Sequence, residues 1–219
     1  MEKKIKTSWD DITVADLVTI KEIDKLQLAT TDEKNLKVAA LVAGIPYEDL
    51  IQIPLNNVRK YMDNTEFLLH EPTAKKARSS YVINGRKYKL LKDPSDMTVA
   101  AYIDFQALYD DGFDKRPAEL LSIMLIPDGH NYNDGYDKEL VIKDMYEMSV
   151  TEALGVCDFF IKRFQRLITW VTTHSKIKMW WLKMTSSKKD KEMYKALELE
   201  MRLVMDELNS MSGWMQSRL

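Results

Sequence analysis

One cysteine, three histidines and seven glycines are spread through 219 residues. Each scarcity argues against a chemistry. The lone thiol, Cys157, has no partner for an internal disulfide, which points to a reducing compartment. His70, His130 and His174 lie far apart, without an i, i+4 pair and without zinc-type spacing to the cysteine. The glycines form neither a phosphate-binding loop nor a dinucleotide fingerprint, and no serine sits in a Gly-x-Ser-x-Gly elbow. Adjacent carboxylates such as Glu48-Asp49 and Asp110-Asp111 point apart on a helix and read as solvated surface. No apolar run approaches the roughly 20 residues of a membrane span. The start, Met1-Glu2-Lys3-Lys4-Ile5, is charged and lacks the apolar stretch of a signal peptide. The expectation is a soluble, cytoplasmic, non-enzymatic protein without a cofactor or metal.

What is present is apolar, helical in period and unevenly charged. Residues 1–149 carry 20 Lys and Arg against 26 Asp and Glu, whereas residues 150–219 carry 12 against 8. An acidic body with a basic end suits an acidic partner or a neighbouring subunit, although two solvated surfaces of different sign would read the same way. The organisation predicted is mainly α with a small β hairpin or sheet, an α+β body over residues 1–148 and a long helical hairpin over residues 149–219.

Along the body, Lys4 to Thr7 alternates as a short strand would, and Trp9 follows as an apolar anchor. Thr13 and Asp16 are placed to cap a helix running from Val14 to about Leu28, with Leu17, Ile20, Ile23 and Leu26 inward. Thr30-Thr31-Asp32 caps the next helix, which stops at Gly44. Pro46 and Pro54 each start a short helix. Ser80 to Leu90 reads as a hairpin about Asn84-Gly85, since both residues tolerate the positive φ of a type I′ turn. A hairpin alone is marginal, and Lys4 to Thr7 is a candidate third strand. Helices are predicted from about Thr98 to Asp110, from Ala118 to Leu125 and around Leu140 to Met148. The loop from Asp128 to Asp137 is rich in oxygen ligands but misses the register of a calcium loop, so an ordinary turn-rich loop is the better reading.

The last third is organised around Ser149 to Met184. Ser149 and Glu152 have capping-box spacing, and an apolar helix containing Cys157, Phe160 and Phe164 follows. Its polar stripe, with Lys162, Arg166 and Lys176, together with Lys183, forms a candidate basic face. Trp170, Trp180 and Trp181 are interleaved with it. Such a mixture can bind nucleic acid by phosphate neutralisation and base stacking. Paired tryptophans are more often core or protein-interface residues. A final helix carries Met193, Leu197, Met201, Val204, Leu208 and Met211 in a narrow seam suited to a facing helix. Those six residues and the three tryptophans are the candidate partner contacts. The methionine content suits an adaptable surface, or simply an irregular core.

Several packing segments together carry a resemblance. They are Ser8-Trp9-Asp10-Asp11-Ile12-Thr13, Ala43 to Pro46 followed by Tyr47-Glu48-Asp49-Leu50, the hairpin with Tyr88, Met97 to Phe105, Ile126-Pro127 and Phe159-Phe160. In this layout, over roughly residues 8–165, the chain resembles small proteins encoded among the virion genes of tailed phages of Bacteroidetes, crAss-like phages included. Some of these are described as tail assembly chaperone-like. The resemblance implies a virion or tail assembly role through protein–protein contacts, either as a transient chaperone or as a structural or packaged cargo component. Phage virion or tail proteins, or further copies of the chain, would be the partners. The implied location is the host cytoplasm during assembly, with retention in the particle in the cargo case. It implies no catalytic residues. The alternative is a DNA-binding packaging or regulatory protein that uses the basic, Trp-containing end.

Overall fold

The computed structural model describes residues 5–27, 30–111, 115–132, 134–164 and 166. Met1–Lys92 together with Asp96–Phe159 form one compact unit; Asp93–Ser95 and the described residues from Phe160 onward fall in a second. The fold is mainly helical with a small antiparallel sheet, which is the α+β class expected. Among the described residues, no helix is long and apolar enough to cross a membrane.

The first helix, α1 (Val14–Lys25), begins with the capping box anticipated at Thr13 and Asp16. The Asp16 amide donates to Thr13 Oγ1 at 3.2 Å, and Asp16 Oδ2 accepts from the Thr13 amide at 2.8 Å. Lys6 Nζ sits 2.6 Å from the other Asp16 oxygen. A cap that satisfies two amides at the buried start of a helix contributes about 1 kcal/mol. Thr13→Ala should therefore lower the unfolding free energy by that amount, read as a lower urea midpoint with no change in the slope of the transition. The inward face is narrower than predicted. Val14 is buried, but Leu17, Ile20 and Ile23 are only half-buried, and Leu26 lies exposed beyond the helix end.

Next, α2 (Thr31–Ala43) is capped by Thr30 and closed by Gly44 at φ +68°. The Gly44 and Ile45 amides turn back onto the Leu41 and Ala40 carbonyls, a closure that only a left-handed residue at position 44 permits. The short α3 (Tyr47–Leu50) and α4 (Leu55–Asp63) each follow a proline and pack on α2. Their cluster is centred on Ala39, Ala40 and Leu50. A second cluster joins Ile12, Val42 and Val150, with Trp9 and Phe67 edge to face against it at 5.7 Å.

The hairpin forms as predicted. Strands β1 (Ser80–Ile83) and β2 (Arg86–Leu90) pair antiparallel, and Asn84 (φ 50°) and Gly85 (φ 75°) make the turn. The third strand differs from the expectation. It is β3 (Leu125–Pro127), which pairs Leu125 with Leu90 and Pro127 with Tyr88. Residues 5–7 form no strand; the Lys6 amide goes to the Val42 carbonyl. The cause lies in Pro127. A residue before proline is driven out of the helical region, so α6 (Pro117–Met124) ends early and Leu125-Ile126 runs extended beside β2. Proline lacks the ladder donor, which suits the edge position of β3.

The remaining helices are α5 (Val99–Asp111), α7 (Lys138–Tyr146) and α8 (residues 150–164). Where α8 starts, the two ends of the body are stitched together. Val14 donates to the Met148 carbonyl and Val150 to the Ile12 carbonyl, around a Thr13–Ser149 bridge. The Ser149 box is half formed. Ser149 Oγ accepts from the Glu152 amide at 3.4 Å, while the Glu152 carboxylate pairs with Arg78 instead. The predicted C-terminal seam from Met193 to Met211 lies outside the described residues.

Candidate functional site

The most connected polar group in the body is Asp144, which is fully buried on α7. Its carboxylate accepts from Asn84 Nδ2 at 2.9 Å, from Arg86 Nε at 2.5 Å and Nη2, and from the Tyr88 hydroxyl. Burial alone would raise its pKa. The Arg86, Tyr88 and Asn84 bonds outweigh that and hold it down at about 2. Tyr88 moves the other way, to about 12, through burial and then its bond to the carboxylate. Every donor comes from the hairpin and the acceptor from α7, so the cluster fastens sheet to helix.

A second set of contacts holds the extended segment before β1. Lys75 donates its amide to the Thr151 carbonyl at 2.9 Å and pairs with Asp10 at 2.8 Å. Thr151 Oγ1 donates to the same Asp10 oxygen. Lys75 first and Thr151 next draw the Asp10 pKa below its ordinary value. Cys157, on the buried side of α8, has its thiol pushed up to about 12 by burial and by the neighbouring Asp158, so it is a packing residue rather than a nucleophile.

Several oxygens of the Asp128–Asp137 loop are taken up within the chain. Asp128 pairs with Lys87 at 2.8 Å, Asp137 caps α7 through the Leu140 amide, and His130 Nδ1 meets the Asp134 carbonyl at 3.1 Å. Among the described residues, no group of three or more His, Cys, Asp or Glu side chains is placed to hold a metal ion. Tyr132 donates to Asp104 of α5 at 2.6 Å, with the Lys138 ammonium over its ring at 4.7 Å.

That anchored loop forms one wall of a cleft of about 300 Å³. The end of β2 and the start of α5 form the others. At its base are Leu90, Ala101 and Ile123, each nearly or wholly buried. Lys89, Lys92 and Asn131 line it nearer solvent. Outside the cleft, α5 carries an uncovered apolar stripe of Val99, Ala100, Ile103 and Ala107, with Val99 77% and Ile103 58% exposed. The packing of the described residues leaves both the cleft and this stripe open.

Of the residues singled out in the sequence, Lys162 and Arg166 are exposed and helical, one turn apart. Phe160 and Phe164 are buried and stack at 6.2 Å. Trp170, Lys176, Trp180, Trp181, Lys183 and the seam residues lie outside the described residues. The α5 stripe and Asp144 were missed. Asp144 had a signal: it falls among Val141, Met145 and Met148, on the apolar face of its own helix. A carboxylate there needs a partner. Comparison with protein-family models, with curated proteins and with solved structures finds no match.

Proposed function

We propose that this is a non-enzymatic bacteriophage virion or tail assembly protein that acts through protein–protein contacts. The observation that carries the contact role is the α5 stripe, in which Val99 and Ile103 stand in water one helical turn apart. The phage setting rests on the sequence resemblance over residues 8–165. The polar clusters of the body support a binding rather than a chemical role. Asp144, Asp10 and Asp128 are each committed to cations of their own chain.

Helical assembly partners that present an apolar stripe of their own fit this surface. The protein works in the host cytoplasm while particles are built, and copies retained in the particle would be cargo or structural components. Val99→Asp combined with Ile103→Asp should abolish association with virion or tail proteins in pull-downs from phage-infected cells, with the urea midpoint of the protein unchanged. Undiminished association would remove α5 as the contact surface. Association that is instead with DNA, and that falls steeply with salt, would favour the packaging or regulatory alternative.

A further inference from the structure

We propose that the cleft beside α5 binds a monoanionic ligand, a carboxylate carried on a small apolar body. The inference is independent of the assembly reading. The volume of about 300 Å³ lies at the small end of ligand pockets. It suits a small molecule. The base is aliphatic: Leu90, Ala101 and Ile123 are 3%, 2% and 1% exposed. It favours a hydrocarbon body over a sugar or a nucleotide.

The upper part of the cleft supplies the charge. Nearby cations of the same fold are spent within the chain, Lys87 on Asp128 and Lys138 on Asp104. The Lys92 and Lys89 ammonium groups make no ion pair or side-chain hydrogen bond among the described residues, although Lys89, after Lys87, helps hold the Asp128 pKa down. The Asn131 side-chain amide is likewise uncommitted and adds neutral donors. Asp96 also lines the cleft, so its lysine and aspartate side chains together carry a net charge of about +1. That balance suits a carboxylate better than a phosphate dianion. The cleft wall is already in place, because the Tyr132–Asp104 bond ties the loop to α5 at 2.6 Å. A preformed wall lowers the ordering cost of binding.

The same chemistry is offered by a free small carboxylate and by the apolar C-terminal residue of a peptide chain. The full-length ¹⁵N-labelled protein is titrated with octanoate and with N-acetyl-leucine, each against its neutral amide, and followed by amide chemical shifts. Both carboxylates are expected to saturate and to move Leu90, Ala101 and Ile123. Octanamide and N-acetyl-leucinamide should bind at least about tenfold more weakly, the loss expected for a charge-assisted hydrogen bond. The double variant Lys89→Met, Lys92→Met keeps the side-chain stems. It should weaken octanoate by about tenfold or more and leave octanamide unchanged. Tighter binding of N-acetyl-leucine would identify a chain end as the natural source, and tighter binding of octanoate a free metabolite. Equal affinity for acid and amide, shifts away from the cleft, or no saturable shift would each overturn the proposal. The pull-down with the α5 variant reads the assembly role separately.

Discussion

Asp144→Ala should destabilise the body by about 3 kcal/mol, the lower end of the cost of breaking a buried ion pair by removing one partner. The cost comes from what is left behind. The Tyr88 side chain is 1% exposed, and its hydroxyl would lose its acceptor in a dry site. Asn84 Nδ2 loses a 2.9 Å bond. The Arg86 guanidinium is 44% exposed and can turn to water, which keeps the loss below the upper range. A urea titration gives the total. Adding Tyr88→Phe to Asp144→Ala removes the orphaned hydroxyl and should recover about 1 kcal/mol or more. Strict additivity of the two changes would mean the hydroxyl is not bonded to this carboxylate.

The same carboxylate sets an acid limit. Its pKa is about 2 in the folded protein and about 3.9 in an unfolded chain. The unfolded state therefore binds the proton first as pH falls. The stabilisation is complete above pH ~5 and is lost progressively as pH falls through ~4 and ~2 towards ~1, a total of about 2–3 kcal/mol. Asp144→Ala should flatten the dependence of stability on pH across that window. An unchanged slope would show that other carboxylates carry the acid sensitivity.

Local rules in the sequence served where the structure is local. The Thr13–Asp16 box, the Thr30 cap, the Gly44 closure and the Asn84-Gly85 turn depend on residues within a few positions of each other, and each formed. The third strand did not follow such a rule. Lys4 to Thr7 alternates as well as a strand does, but the choice of a partner for β2 was settled 120 residues later by Pro127 at the end of α6. Ser149 failed in half its box for the same kind of reason: Glu152 found Arg78, 74 positions away. The cleft was hidden because it gathers β2, α5 and the 128–137 loop, and no stretch of sequence shows that meeting. Lys89 lies in the Ser80–Leu90 hairpin and Asn131 in the Asp128–Asp137 loop, and neither segment alone points to the other. Gly155 had no visible role at all, since a glycine inside a helix is disfavoured by about 1 kcal/mol relative to alanine and needs a tertiary reason.

For such a reason Gly155→Ala should destabilise the protein, although it places a better helix former in α8. A Cβ built on Gly155 would lie 1.9 Å from the Lys75 carbonyl oxygen and 3.0 Å from its carbon. Both are backbone atoms, so no side chain can swing aside. The extended segment is held at this crossing by the Lys75 amide on the Thr151 carbonyl, by the Lys75–Asp10 pair and by Arg78 on Glu152. Making room for a methyl group means moving the segment and giving up part of that set. Overpacking of this kind costs about 3 kcal/mol against a gain of about 1 from helix propensity, for a net loss of about 2. Gly155→Ser should cost at least as much. Hydrogen exchange supplies a local check: the Lys75 amide should exchange faster in Gly155→Ala, even after correction for the drop in global stability. Stabilisation by about 1 kcal/mol with Lys75 still protected would mean that the segment does not cross α8 at this distance.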